Sequence, residues 1–370
     1  MELSWNGILL LITIVTATVT FFVSLINVVF NSTLKEINNE VKETPKVSVL
    51  IPMRNEEKNI PKLLNSLIEQ SYNNIEILIL DDNSTDNSYE VASNYSHKIK
   101  NLRVLKGSEL PNGWLGKNWA CHQLSQHASG ELLAFVDADV ILAPKAIEIL
   151  VNFFYKYKLD ALSVFPTQIM NTFGEKLVVP LMNWILLSFL PLILVRKSHY
   201  KSLTAANGQV LMFKKEIYHK IGGHTIVSNH PVEDMELAKL VKLNGFRIAT
   251  FLGGGLIKCN MYNGFSESIQ GYSKNFFKGF NINWLVFILF MSIVSLSNII
   301  PFLLILYDLF FIIPIFLILL NRILVSYLSK QNIFVNLLLH LPQFIVFLFL
   351  AFFSVYKTKF RKNVWKGRPV

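Results

Sequence analysis

The sequence predicts a doubly wound, mostly parallel α/β sheet set between N- and C-terminal transmembrane helices. Three observations carry this. Strand-like and helix-like stretches alternate from residue 47 to residue 136, the order of a parallel sheet built from βαβ units. Two of those strands end in paired aspartates. Apolar residues make up 52% of the 370-residue chain, with mean hydropathy +0.41. That surplus exceeds what an ordinary soluble domain carries, and it gathers at the two ends.

The formal net charge of +10 suits an anionic leaflet or an anionic nucleotide. No aromatic-plus-basic stacking module is present, so nucleic acid is not an expected partner. Cys121 and Cys259 are too few for a disulfide framework and are expected as free thiols. The Lys-, Asn- and Ile-rich composition hints at a bacterial source.

Residues 4–34 carry no charge, and 7–30 is long enough to cross a bilayer. With no basic n-region and no small-residue cleavage site, it reads as an uncleaved anchor. Glu2 precedes it, and Lys35, Lys42 and Lys46 follow. This charge bias predicts an outside N-terminus and a cytosolic domain after it.

Past a polar linker over 31–45, Val47-Ser48-Val49-Leu50-Ile51-Pro52 reads as the first strand and Met53-Arg54-Asn55-Glu56-Glu57 as a loop. Residues 56–70 have helical spacing, with Ile60, Leu63, Leu64, Leu67 and Ile68 on one face. A second strand over 75–80 ends in Asp81-Asp82-Asn83-Ser84-Thr85-Asp86. A third covers 102–105, and a helix is expected over 118–128. The fourth, Leu132-Leu133-Ala134-Phe135-Val136, runs into Asp137-Ala138-Asp139.

Ligands of open α/β sheets gather outside the carboxyl ends of the strands. Alternation along extended chain predicts that Asp137 and Asp139 point the same way. Hard carboxylate oxygens suit Mg²⁺ or Mn²⁺, which in turn suits a diphosphate. The plainer alternative is a solvated Asp-rich turn. Neither a GxGxxG nor a P-loop pattern is present, so metal and lysine must hold phosphates. Gly113-Trp114-Leu115-Gly116-Lys117 reads as a loop that glycines free to approach a ligand. Lys117 offers a point charge there, or is simply a solvated lysine.

Residues 177–195 are apolar but broken by Pro180, Asn183 and Pro191. They are expected to lie in the membrane interface, anchored by Trp184, with Arg196 and Lys197 meeting anionic headgroups. Residues 206–213 read as a further strand, followed by a helix ending at Gly222-Gly223-His224. Pro231 is expected just inside a helix start. Glu233 and Asp234 then fall in the first turn, where the helix dipole stabilises carboxylates. Capping is one reading of them, and general-base work is the other. His122 and His224 read as structural or polar-surface residues, whereas His230 is close enough to Asp234 to touch substrate.

Spans are expected near 284–306, 309–328 and 333–355. The tail carries Lys357, Lys359, Arg361, Lys362, Lys366 and Arg368 without an acid, which predicts a cytosolic end. Three crossings from a cytosolic domain would leave the tail outside. One segment is therefore re-entrant or interfacial, or the N-terminal orientation is reversed. The expected division is an anchor over 1–34, a cytosolic catalytic domain over 35–280, membrane segments over 281–356 and a basic tail over 357–370.

Several motifs fall together in one order: the opening strand with Pro52, Arg54-Asn55-Glu56-Glu57, Asp81 to Asp86, Gly116-Lys117, Asp137-Ala138-Asp139, Gly222-Gly223 and Glu233-Asp234. Through them, residues 40–260 resemble the family 2 glycosyltransferases, inverting enzymes of GT-A fold. The loop Gly113 to Lys117 and the tail Trp365-Lys366-Gly367-Arg368 look like the carotenoid-pathway branch. The same loop is also similar to the hopanoid-associated branch.

The resemblance implies that Asp82, with Asp81, contacts uracil and ribose. It implies that Pro52, Arg54, Glu56, Lys117, Asp137 and Ala138 line the nucleotide-sugar site. Asp139, with Asp137, would hold Mg²⁺ or Mn²⁺ as a DXD motif. Asp234, beside Glu233, would deprotonate the acceptor. His230, Trp114, Trp365 and Arg368 are candidates for phosphate or acceptor contacts. Processive relatives carry Gln-x-x-Arg-Trp where this chain reads Gln270-Gly271-Tyr272-Ser273-Lys274-Asn275-Phe276. A single transfer is therefore expected. Lys274 stands either for the missing cation or for a basic interface patch.

The implied activity is transfer of one sugar, glucose by analogy, from a UDP-sugar to a membrane lipid. The implied acceptor is a carotenoid carboxylate of the 4,4'-diaponeurosporenoate type, giving a glycosyl ester. A hopanoid, sterol, diacylglycerol or polyprenyl phosphate is the alternative acceptor. A polysaccharide synthase or export component and a catalytically dead scaffold are rivals of other classes. Other enzymes of the lipid or pigment pathway are possible partners. The expected location is the bacterial cell membrane.

Overall fold

The computed structural model describes residues 5–36, 44–360, 364–365 and 368–369. The chain divides into two compact units. Met1–Ser32, Met170–Pro191 and Tyr262–Asn363 form one; Thr33–Ile169, Leu192–Met261 and Val364–Val370 form the other.

The second unit is built on β1 (Val47–Met53), β2 (Ile75–Asp81), β3 (Leu102–Lys106), β4 (Leu132–Val136), β5 (Val140–Leu142), β6 (Ala161–Phe165), β7 (Thr167–Gln168), β8 (Val210–Lys214), β9 (Ile248–Leu252) and β10 (Ile257–Cys259). Seven of them make a sheet in the order β3-β2-β1-β4-β8-β6-β9. All its neighbours pair in parallel except β8, which runs antiparallel to both β4 and β6. This is the mostly parallel sheet that the alternating pattern predicts. Its central strands are largely apolar, as a sheet covered on both faces requires; every residue of β4 is buried. A second sheet, β5-β10-β7, has no counterpart in the expected elements. Its strands are two or three residues long, too short for a periodic signal.

Several boundaries move for identifiable reasons. The first helix spans Ile60–Ile68 rather than starting at residue 56. The backbone N–H groups of Asn55, Glu56 and Glu57 are instead taken by Ser84, Ser88 and Asp86, and Pro61 occupies the first turn. The helix Gly116–His127 begins earlier than expected, so Gly116 and Lys117 lie in its first turn rather than in a loop. Gly113 does sit in the turn before it, at φ 82. Pro231 lies outside the helix Glu233–Leu243, ahead of its N-cap Val232, while Glu233 and Asp234 are in the first turn as expected.

Among the described residues the other unit holds four helices long and apolar enough to cross a membrane: Trp5–Phe30, Trp284–Leu304, Leu309–Leu328 and His340–Phe360. Residues 177–195 are not among them; the chain there breaks at 190–191, between the helices Pro180–Phe189 and Leu192–Lys197. Trp184 does not sit as an interface anchor. It is fully buried, and its indole N–H donates to Asn321 Oδ1 at 2.6 Å. An indole buried among apolar helices needs such an acceptor, and Asn321 on the apolar helix Ile312–Leu328 supplies it.

Candidate functional site

The carboxyl end of β4 is where the candidate residues meet. The strand stops at Val136, and Asp137-Ala138-Asp139 forms a turn closed by the Val140 N–H to the Asp137 carbonyl, 3.2 Å. Strand alternation therefore does not orient the two acids. Asp137 faces Lys117, whose Nζ lies 2.9 Å from its carboxylate and 3.2 Å from that of Glu233. One lysine thus joins the first turn of Gly116–His127, the β4 turn and the first turn of Glu233–Leu243. Ala138 between the acids is buried.

Gly208 makes this convergence possible. A Cβ there would stand 3.1 Å from Lys117 Nζ and 3.3 Å from Glu233 Oε1. Its N–H donates to Asp234 Oδ2 at 2.8 Å, and the Met235 N–H donates to Asp234 Oδ1 at 2.8 Å. Asp234 is thereby fixed by two backbone donors.

The electrostatics follow from this crowding. Desolvation, with the charge of Glu233 beside it, pushes Asp234 up to about 7. Desolvation also pushes Asp139 up to about 7, reinforced by Asp137 and Glu56. Desolvation works against the charge on Lys117, but Asp137 and Glu233 outweigh it and hold the ammonium well above its ordinary value. The cluster thus holds one firmly charged cation and two acids that take up protons near neutrality.

The loops after β1 and β2 interlock at the same end of the sheet. Arg54 donates to the carbonyls of Asp82 and Asn83, at 2.5 and 2.7 Å. Asp81 receives the backbone N–H and hydroxyl of Ser84. Asp82 is buried, with its N–H on the Met53 carbonyl. Pro52 pairs with Leu80 in the ladder. Glu56 accepts from Asn59 Nδ2 at 2.8 Å.

Other expected residues have different settings. The His230 ring is exposed, while its carbonyl is one of three that accept from Asn118 Nδ2. Trp114 packs on Trp119 and His122, with ring centroids 5.0 and 5.2 Å away. His224 is buried against Tyr218, 2.7 Å from its hydroxyl; burial pulls its imidazole down to about 3, which fits a structural residue. Lys274 is on the helix Phe265–Phe280, in the unit of apolar helices. Trp365 and Arg368 pair in the short strands Val364–Trp365 and Arg368–Pro369; their side chains lie outside the described residues.

A divalent cation can be tested against this donor set. Among the described residues no group of three or more His, Cys, Asp or Glu side chains is disposed to hold a metal. Asp139 Oδ1, however, is shut off from solvent without a hydrogen-bond partner, a costly state for a carboxylate oxygen. Two carboxylates, one with an orphaned oxygen, fit a hard cation that completes its shell with phosphate and water oxygens.

Gly208 was not expected at the site, nor was the Gln209 backbone carbonyl that accepts the Asp137 N–H at 3.0 Å. The Asn207-Gly208 pair ahead of β8 is a turn signal, and it alone could have drawn notice. Both cysteines are free and buried.

Residues 48–222 match the family model described as Glycosyl transferase family 2. The chain is 30% identical over 239 residues to the 4,4'-diaponeurosporenoate glycosyltransferase of Staphylococcus haemolyticus (strain JCSC1435), across 64% of this chain and 62% of that protein. It is 30% identical over 241 residues to the protein of the same name from Staphylococcus aureus (strain USA300), across 63% and 61%. The chain thus spans about 62% of the length of these curated relatives. In structure it is similar to the mannosyltransferase PcManGT from Pyrobaculum calidifontis, solved with GDP-Man and Mn2+, with TM-score 0.55 and 16% identity over 95% of this chain and 99% of that one. That likeness, at such low identity, speaks to a shared GT-A fold.

Proposed function

From the match of residues 48–222 to the glycosyl transferase family 2 model we propose that the chain transfers one sugar, with inversion, from a UDP-sugar to a lipid in the bacterial cell membrane. The observation that carries this reading is the convergence of Lys117, Asp137, Glu233 and Asp234 at the end of β4, beside the orphaned Asp139 oxygen.

In this reading Asp81 and Asp82, on loops braced by Arg54, receive the nucleoside. Lys117 turns its charge from Asp137 and Glu233 towards the diphosphate. Asp137 and Asp139 hold Mg²⁺ or Mn²⁺, which when bound neutralises charge on the departing diphosphate. Asp234, pinned by the Gly208 and Met235 N–H groups, takes the acceptor proton. Its pKa of about 7 matches the operating range of a general base. The domain faces the cytosol, where nucleotide sugars are made, and the apolar helices hold the chain in the membrane where a lipid acceptor resides.

The acceptor in this reading is a carotenoid carboxylate, the class printed in the names of the curated relatives, and the donor is UDP-glucose. A carboxylic acid is already ionised at neutral pH, so it needs little help from a base. The test is UDP release by membranes containing the protein, with UDP-glucose, Mn²⁺ and a panel of carotenoid acid, hopanoid, sterol and diacylglycerol acceptors. Release is expected to need both the cation and a carotenoid acid. Asp234→Asn should depress release less with an acid acceptor than with an alcohol. Release that ignores the cation, or favours an alcohol lipid, would overturn the corresponding part of the reading.

A further inference from the structure

The chain ahead of β8 takes a course that the roles above leave unused. Pairing with β4 sets Val210 opposite Val136, and the Asp137 N–H to the Gln209 carbonyl, 3.0 Å, extends that ladder by one rung. Pairing with β6 sets Val210 opposite Val164. A strand continued in that register would carry Asn207 to Thr167. Instead the Asn207 N–H donates to Oγ of the buried Ser163 at 2.8 Å, and the Ser163 hydroxyl reaches the Asn207 carbonyl at 3.3 Å. The chain therefore doubles back over residues 207–209. Asn207 makes that turn: its Oδ1 accepts the Gln209 N–H at 2.8 Å, the bond to the backbone two residues on by which asparagine closes a turn. The two carboxylates of the site are held from either side of this bond. The Gly208 N–H donates to Asp234 Oδ2 at 2.8 Å, and the Gln209 carbonyl holds Asp137. The peptide between those two contacts is the one whose N–H Asn207 takes.

We propose that Asn207 is a positioning residue that, braced by Ser163, fixes the spacing between Asp137 and Asp234, and so between the departing diphosphate and the incoming acceptor. The inference rests on the transferase reading above and adds to it the group that sets the distance between its donor-side and acceptor-side acids. Rates between bound partners depend steeply on that distance, since a misplacement of about 1 Å can cost about 100-fold.

The experiment uses the full chain in detergent and reads backbone hydrogen exchange by mass spectrometry in peptides covering 205–210 and 134–140. Thermal unfolding of each variant is followed in parallel. Asn207→Ala is expected to speed exchange about 5-fold in both segments, as loss of one hydrogen bond allows. Asn207→Ser, which keeps an acceptor for the Gln209 N–H, is expected to restore most of the protection. Ser163→Ala removes the brace from the other side and is expected to act in the same direction. It decides the matter if Asn207→Ala does not fold. Faster exchange confined to 205–210 in both variants overturns the proposal, because Asn207 would then order its own turn alone. Exchange at the wild-type rate in both overturns it too, as does an Asn207→Ser variant as fast as Asn207→Ala. UDP release separates this inference from the transferase reading. Where wild type transfers sugar, Asn207→Ala should lower kcat about 10-fold with little change in KM for UDP-glucose, and an unchanged kcat is a failure of the Asn207 arm alone. If wild type releases no UDP with any acceptor, the transferase reading falls first, and the exchange rates still decide whether Asn207 ties Asp137 to the turn.

Discussion

Two carboxylate clusters sit at opposite ends of the same parallel strands, and they are built in opposite ways. At the amino end, Glu76 on β2 receives the Ser48 hydroxyl, the Ser129 N–H and hydroxyl, and the Gly130 N–H, with Lys46 at 3.4 Å. Desolvation pushes this acid up, but the donors from Ser48 and Ser129, with Lys46, outweigh it and bring Glu76 down to about 2. At the carboxyl end, Asp139 and Asp234 are crowded by other acids and rise to about 7. The first cluster is complete without any ligand and ties β1, β2 and the approach to β4 together. The second holds charge that its own residues do not compensate, which is where a ligand gains most by binding. Burial of a carboxylate does not by itself mark a site; the completeness of its partners separates structure from function.

The largest expected effect tests the incomplete end. Asp139→Asn should lower sugar transfer about 1000-fold, or about 4 kcal/mol, yet leave the thermal midpoint unchanged or raised, because it removes a charge the fold disfavours. A large loss of stability would show that Asp139 is structural after all. Glu76→Gln should do the reverse. The drop from 4.5 to about 2 corresponds to about 3 kcal/mol of stability at neutral pH, lost in chemical denaturation while the folded fraction keeps its transfer activity.

The pH dependence sharpens the contrast further. Glu76 binds its proton more weakly when folded, so its contribution is present above pH 4.5 and is lost as the pH falls towards 2. Asp139 and Asp234 bind theirs more strongly when folded, so stability declines as the pH rises from 3.8 to about 7. Unfolding of the protein without nucleotide or metal, followed from pH 3 to 8 (roughly the span of these pKa values), should show a rise and then a fall. Asp139→Asn should flatten only the fall. Lys46→Met is the smallest case. Its side chain is two-fifths exposed, and such a pair is worth about 1 kcal/mol or less. A cost near that of Glu76→Gln would mean that the ion pair, not the hydroxyl and amide donors, holds Glu76.

The sequence by itself determined the sheet class and the candidate acids. Apolar runs such as Leu132 to Val136 announce buried strands because both faces of a parallel sheet are covered, and Asp81-Asp82 and Asp137-Ala138-Asp139 close two of them. The first-turn placement of Glu233 and Asp234 was equally legible, since a proline and two acids ahead of an amphipathic run mark a helix start. What only the tertiary structure decided is which groups face one another. Lys117 joins Asp137 and Glu233 across 20 and 116 residues of sequence because Gly208 leaves room for the approach. Glu76, unremarked near the start of a largely apolar strand, meets Ser129 from 53 residues away. The Gln209 carbonyl meets the Asp137 N–H from 72 residues away. Local sequence encodes period and turn chemistry, whereas partner choice arises only when the sheet order brings distant strand ends together.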